Sequence, residues 1–165
     1  MIKMNVAGSP HQGDAWDDGG KNEIIHIFIS HGIDIDSIQF MYVDKEKVVP
    51  SKRLGRATGI TTRLDTVDFD YPSEFLTWVS GSFDEYHPYE LKSITFGTNQ
   101  GTYGPFGVQT EREFCFRMGD RRTFAGFHGT HDMSAIYSIG VYVKPPTIVN
   151  SGIKPGPTLP IKEEK

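Results

Sequence analysis

The chain of 165 residues holds a single cysteine, Cys115. One thiol makes no intrachain disulfide and no cysteine-based zinc cage. Leucine and alanine are scarce, 5 of each against 15 Ile and 13 Thr. Leu and Ala favour helices, whereas β-branched residues suit pleated, half-buried surfaces. No stretch approaches the roughly 20 apolar residues that cross a bilayer. The segment from Met1 to Gly8 lacks an apolar core of signal-peptide length, and no Asn-x-Ser/Thr acceptor occurs. Positive charge is not in excess either: 17 Lys and Arg against 21 Asp and Glu leave a net charge of -4. That argues against a nucleic-acid binder working through its overall field. These absences predict a protein of a reducing compartment, cytosol or nucleus, without a membrane or nucleic-acid partner.

What is present reads as strands. Glycine (18 residues) and aromatics (12%) accompany the Ile and Thr. Glu23 to Ser30, Ser37 to Val43, Ile60 to Phe69, Glu74 to Phe83, Leu91 to Thr98, Phe114 to Met118, Thr123 to His128 and Ile136 to Val143 carry strand patterns. No window sustains the apolar i, i+3, i+4, i+7 spacing of a helix, so the expected class is all-β. Residues 1–12 read as a loose N-terminal arm, and Gly13 to Gly20 as turn chemistry around Trp16. Asp44 to Gly59, with Lys45, Lys47, Lys52, Arg53 and Arg56, reads as a long solvated connection. The domain proper is expected over 13–144. Half of the ten prolines fall within 145–165, which predicts an extended, disordered tail or linker.

The chain also repeats itself. Ile35-Asp-Ser-Ile-Gln-Phe40, Leu91-Lys-Ser-Ile-Thr-Phe96 and Ile136-Tyr-Ser-Ile-Gly-Val141 share one pattern, apolar-x-Ser-Ile-x-apolar. Each follows a strand ending in a glycine turn: Ile29-Ser-His-Gly32, Val79-Ser-Gly81 and Phe127-His-Gly129. Three copies about 50 residues apart imply three similar sheets around a pseudo-threefold axis.

The motifs Trp16-Asp-Asp-Gly19, Pro72-Ser-Glu-Phe-Leu76, Ser93-Ile-Thr-Phe96, Tyr103-Gly-Pro-Phe-Gly107, Gly126-Phe-His-Gly129 and Ile139-Gly-Val-Tyr142, in their order and spacing, resemble the jacalin-related lectins of plants. The resemblance spans Gly8 to Val143. It implies a β-prism of three four-stranded antiparallel Greek-key sheets with sugar sites in loops at one end. It also implies glycan binding of the mannose type, without catalysis, metal or cofactor. Mannose- or glucose-type glycans are then the expected partners. A homodimer through an exposed strand edge and a protein partner or fused domain through the tail are further possibilities.

A sugar ring presents hydroxyls to a carboxylate, whose charge-assisted bonds are about twice as strong as neutral ones. It also needs close backbone N–H groups, which favours glycine. The resemblance supplies Gly-x-x-x-Asp in the last hairpin with a glycine opposite. This chain departs from that pattern. Aligned on Ile139-Gly140, the glycine position is Met133 and the acid position is Tyr137; aligned from Gly129, the acid falls on Ile136, because the loop is one residue longer. Asp132 is off register, and only the facing Gly13 survives. The first repeat keeps Gly32-Ile33-Asp34-Ile35-Asp36, so the expected site is Gly32, Asp34, Ile35 and Asp36 with Gly55 or Gly59 facing it. The second hairpin, with Pro88 and Lys92 at the two positions, is expected to be blind. The same Gly-x-Asp-x-Asp string is also ordinary turn chemistry.

Other chemistry is thinner. Asp17-Asp18 reads as a turn, Asp34-x-Asp36 lacks the donors of a calcium loop, and His128-x-x-His131-Asp132 reads as packed rather than zinc-binding. Cys115 alternates with Phe114 and Phe116 without an activating partner. Gly101-x-x-Gly104-x-x-Gly107 has no strand-to-helix context for a dinucleotide. Nothing assembles a nucleophile, base and stabiliser. Beside reversible glycan binding in plant defence or stress stands a second reading: a sugar-blind lectin fold used as a protein-interaction module.

Overall fold

The computed structural model describes residues 1–20, 23–56 and 63–145. Among these residues there are strands and no helix. β1 (Ile2–Lys3), β2 (Ala7–Gly8) and β3 (Asp14–Asp17) open the chain. β4 (Glu23–His31) and β5 (Ile35–Asp44) form the first long hairpin, followed by β6 (Lys47–Pro50), β7 (Leu54–Gly55) and β8 (Arg63–Asp68). β9 (Leu76–Phe83) and β10 (Leu91–Thr98) form the second, followed by β11 (Thr102–Gly107) and β12 (Arg112–Arg117). β13 (Phe124–His131) and β14 (Ile136–Val143) form the third.

Three antiparallel sheets result. The first runs β6-β5-β4-β8, with β7 also on β5, and the second runs β11-β10-β9-β12. In both, the fourth strand returns beside the first, the Greek-key order. The third sheet runs β1-β14-β13-β3, with β2 also on β14. The N-terminal segment thus fills the places that β6, β7 and β8 fill in the first sheet.

Here three expectations are corrected. Residues 1–12 are not a free arm: Ile2 pairs with Val143 and Ala7 with Ile139. The segment around Trp16 is a strand on β13, with Gly129 opposite Trp16. The span Asp44 to Gly59 contains β6 and β7, and Leu54 is fully buried. All five are short edge strands with little alternation: β1, β2 and β3 pair with strands more than a hundred residues away, whereas β6 and β7 pair with the neighbouring β5. The tail expected over 145–165 lies, beyond residue 145, outside the described residues.

The repeat forms the core. Its first positions (Ile35, Leu91, Ile136), its isoleucines (Ile38, Ile94, Ile139) and its last positions (Phe40, Phe96, Val141) are all buried, in three layers around the axis. The serine pairs across each hairpin: Ser37 with Ser30, Ser93 with Ser82, Ser138 with Thr130. Ser82 and Ser93 share a 2.6 Å hydrogen bond, as do Thr130 and Ser138. Buried hydroxyls are satisfied in this way across the strand pair.

The register also breaks at one place in every repeat. Asp36, Lys92 and Tyr137 have no opposing residue, because the ladder shifts between Ile35 and Ser37, Leu91 and Ser93, and Ile136 and Ser138. An unpaired extra residue is a β-bulge, and it re-aims its side chain.

Candidate functional site

The three bulges meet three positive-φ glycines. Gly55 (φ 89°), Gly107 (φ 77°) and Gly8 (φ 95°) pair with Ser37, Ser93 and Ser138. The residue after each glycine donates its N–H to the bulge carbonyl: Arg56 to Asp36 (2.6 Å), Val108 to Lys92 (3.0 Å) and Ser9 to Tyr137 (2.8 Å). A Cβ at Gly55, Gly107 or Gly8 would overlap that same carbonyl oxygen. Glycine is therefore required by close approach as well as by φ. The backbone makes Asp36, Lys92 and Tyr137 equivalent, and Ile136 is a core residue rather than the acid position.

The glycines also lock neighbouring sheets together. The Gly55 N–H donates to His131 Nδ1 and the Gly107 N–H to His31 Nδ1, each at 3.2 Å. His31 Nε2 lies 2.6 Å from Asp65 Oδ2. An Nδ1 that accepts is unprotonated, so both clamps need the neutral ring. Burial, then Lys52, holds His131 below the ordinary histidine value, and burial does the same for His128. The sign follows: the unfolded chain takes up protons first as pH falls, so stability declines below about 6.5. Urea denaturation between pH 7.5 and 5 should show this decline, and His131→Gln should flatten part of it.

At the first hairpin, Asp36 is buried and its carboxylate lies 3.5 Å from the Arg56 guanidinium. Burial, and next the neighbouring Asp34, push its carboxyl up. Asp34 Oδ2 lies 3.8 Å from Lys92 Nζ, which also reaches Asp84 at 3.5 Å. The bulge lysine of the second sheet thus turns toward the first hairpin. Both aspartates face cations at distances longer than hydrogen bonds. Within the loop, the Gly32 N–H donates to the Asp34 carbonyl at 3.0 Å, and Ile33 at the tip is exposed. Ile35 is a core side chain, so only its backbone could meet a ligand. Gly55 is buried against the Asp36 carbonyl and Ile136, which makes it a framework residue rather than a wall of the site. Gly59 lies outside the described residues.

The third hairpin is closed on itself. Asp132 Oδ1 accepts the N–H groups of Ser134 (2.8 Å) and Ala135 (3.2 Å), and the Tyr137 hydroxyl lies 2.9 Å from both carboxylate oxygens. Burial raises the Asp132 carboxyl, but these donors outweigh it and leave it below the ordinary value; burial and Asp132 push Tyr137 up to about 12. Gly13 does face this hairpin, yet a Cβ there would come 2.9 Å from the Tyr137 ring. Met133 is exposed at the tip. The loop amides are therefore already occupied by a carboxylate from the same loop. Asp132-x-Ser134 is an Asx-turn spacing, the one sequence signal that pointed to this closure. Arg56, by contrast, comes from the end of β7 and Lys92 from the second sheet, with no local signal. Among the described residues, no three His, Cys, Asp or Glu side chains converge as a metal site.

Comparison with known proteins agrees with this architecture. A family model described as jacalin-like lectin domain matches residues 4–142. The chain is 41% identical over 143 residues to Protein RESTRICTED TEV MOVEMENT 1 of Arabidopsis thaliana, covering 81% of this chain and 79% of that protein. It is 33% identical over 170 residues to Jacalin-related lectin 2 of the same plant, covering 93% and 91% of the two chains. Among solved structures, a mannose-specific jacalin-related lectin from Morus nigra in complex with mannose superposes with a TM-score of 0.77 at 27% identity, covering 87% of this chain and 94% of that one.

Proposed function

Because this chain belongs to the jacalin-like lectin domain family, we propose that it binds mannose- or glucose-type glycans reversibly at the first hairpin, without metal and without catalysis. One observation carries the reading. Asp36 occupies the bulge that aims a side chain at the hairpin end, where its carboxylate lies 3.5 Å from Arg56 and beside the Asp34 carboxyl. A sugar diol offers that carboxylate charge-assisted hydrogen bonds, which its approach to Arg56 at 3.5 Å does not supply. Gly32, Asp34 and the backbone of Ile35 complete the loop. Single sites of this kind are weak, so pairing of copies through a strand edge, or a partner on the tail, would raise avidity. A role in plant defence or stress is part of the same proposal. An exposed free Cys115 supports the cytosol or nucleus as its place.

Isothermal titration with methyl α-mannoside and methyl α-glucoside tests this. The wild type should bind at least one of them. Asp36→Asn should weaken binding by roughly ten- to a hundred-fold, the worth of a charged hydrogen bond, while Tyr137→Phe should leave it unchanged. No binding by the wild type would end the proposal.

A second reading is favoured by the closed third hairpin. With Asp132 satisfying the loop amides, the fold could serve as a protein-interaction module instead. A partner recovered equally by wild type, by Asp36→Asn and in excess mannose would favour it.

A further inference from the structure

The three hairpin turns lie at one end of the prism. At the other end, where β4, β9 and β13 begin, the second sheet carries an open cleft of about 410 Å³ lined by Thr77, Trp78, Thr98, Asn99, Arg117 and Asp120. Trp78 and Phe83 are five residues apart on β9, so the cleft lies roughly 17 Å along the strand from the second hairpin turn.

Trp78 forms its floor. It pairs with Gly97 on one side and Arg117 on the other. A Cβ at Gly97 would overlap the indole. The missing side chain lets the ring lie flat over β10, which fixes one face against the sheet. The Arg117 guanidinium makes a long cation–π contact with the ring, its carbon 5.9 Å from the centroid. Asn99 is a rigid wall: its Oδ1 accepts the Phe75 N–H and its Nδ2 donates to the Ser73 carbonyl, both at 2.9 Å. Thr98 is fixed by a 2.6 Å bond to Glu74. Arg117 and Asp120, in contrast, have no ion-pair or hydrogen-bond partner among the described residues. The cleft thus combines a held aromatic plate, a guanidinium beside that plate with its hydrogen-bond donors unused among the described residues, and one acceptor group without an ion-pair partner.

We propose that this cleft is a second saccharide site, taking a neutral pyranose ring stacked on Trp78. The chemistry selects that class. A pyranose has a C–H face for the indole and vicinal hydroxyls for a carboxylate. Arg117 and Asp120 cancel in charge, so a phosphorylated ligand gains no net field. The volume falls within the range of small-ligand clefts, about 300–1,000 Å³. A prism with sugar sites at both ends would cross-link glycans as a single chain.

The chain has only two tryptophans, and Trp16 is buried. Nitrogen-15 NMR of the wild type therefore gives two indole signals, assigned by comparison with Trp78→Phe. The probes are the methyl glycosides of mannose, glucose and galactose. At least one should shift the Trp78 signal saturably, in the wild type and equally in Asp36→Asn, which separates this cleft from the first hairpin. Asp120→Asn should weaken that binding roughly tenfold. The proposal is overturned if none of the three moves the Trp78 signal, or if the shift disappears in Asp36→Asn. It is likewise overturned if Asp120→Asn binds as tightly as the wild type. A wild type silent at the first hairpin but shifting at Trp78 would overturn the earlier reading and leave this one standing.

Discussion

Phe40→Ala should destabilise the protein by about 3–5 kcal/mol, the range for deleting a buried aromatic ring. Phe40 is fully buried and sits at the last position of the first repeat. Its ring stacks on Phe127 of the third sheet at 4.4 Å and 21°, and meets Phe96 of the second sheet edge-on at 6.3 Å. One side chain therefore joins all three sheets, and its loss leaves a cavity at the axis that none can fill without moving against the others. At about 2–4 °C per kcal/mol for a chain of this size, the melting temperature should drop by roughly 10 °C or more. Urea denaturation gives the free energy directly. Phe40→Leu should cost far less, and a loss under about 1 kcal/mol for alanine would show that the ring is not the centre of the core.

Glu74→Ala should cost about 2–4 kcal/mol, through polar groups rather than packing. Glu74 is buried, and its carboxylate accepts from the Asp70 N–H (2.9 Å), the Thr98 hydroxyl (2.6 Å) and the Tyr103 hydroxyl (2.8 Å). These bonds tie the entry to β9 to the end of β10 and to β11. Alanine removes the acceptor of all three donors; among the described residues, Thr98 has a second one close by, the Gly101 carbonyl at 3.3 Å. Burial raises the carboxyl, but Thr98, the Asp70 amide and Tyr103 outweigh it and leave it below the ordinary value of 4.5. A lowered carboxyl stabilises the fold above its unfolded value and loses that contribution as pH falls through the folded one. The gap between wild type and Glu74→Gln should therefore be widest near neutral pH and shrink below about 4.5. A gap independent of pH would mean that the charge is not what holds the three donors.

The repeat was legible because each copy is local. Ile35 to Phe40, Leu91 to Phe96 and Ile136 to Val141 carry their own alternation, and the serine after the bulge marks the same register in each. β1, β2 and β3 were not legible, because their partners lie more than a hundred residues away. β11 carries no strand pattern, since Gly104 and Pro105 sit inside it, and an edge strand accepts a proline that a central strand does not. The site divides in the same way. Asp36 stands out because its string is intact. Gly55 looked like a ligand-facing glycine, yet its φ of 89° and the Asp36 carbonyl beside it make it part of the bulge. Nothing local announces that Lys92 turns toward Asp34.

The third sheet takes strands from both ends of the chain, and this orders the protein's assembly. The first and second sheets each complete themselves within one contiguous stretch, so a chain emerging from the ribosome can close them in turn. β1 to β3 are made first yet have no partner until β13 and β14 appear. Contacts that span nearly the whole sequence carry the largest loop-closure cost and form late. Until then, the inner faces of two finished sheets stay uncovered. The newborn protein is therefore most vulnerable to aggregation just before its last hairpin is made.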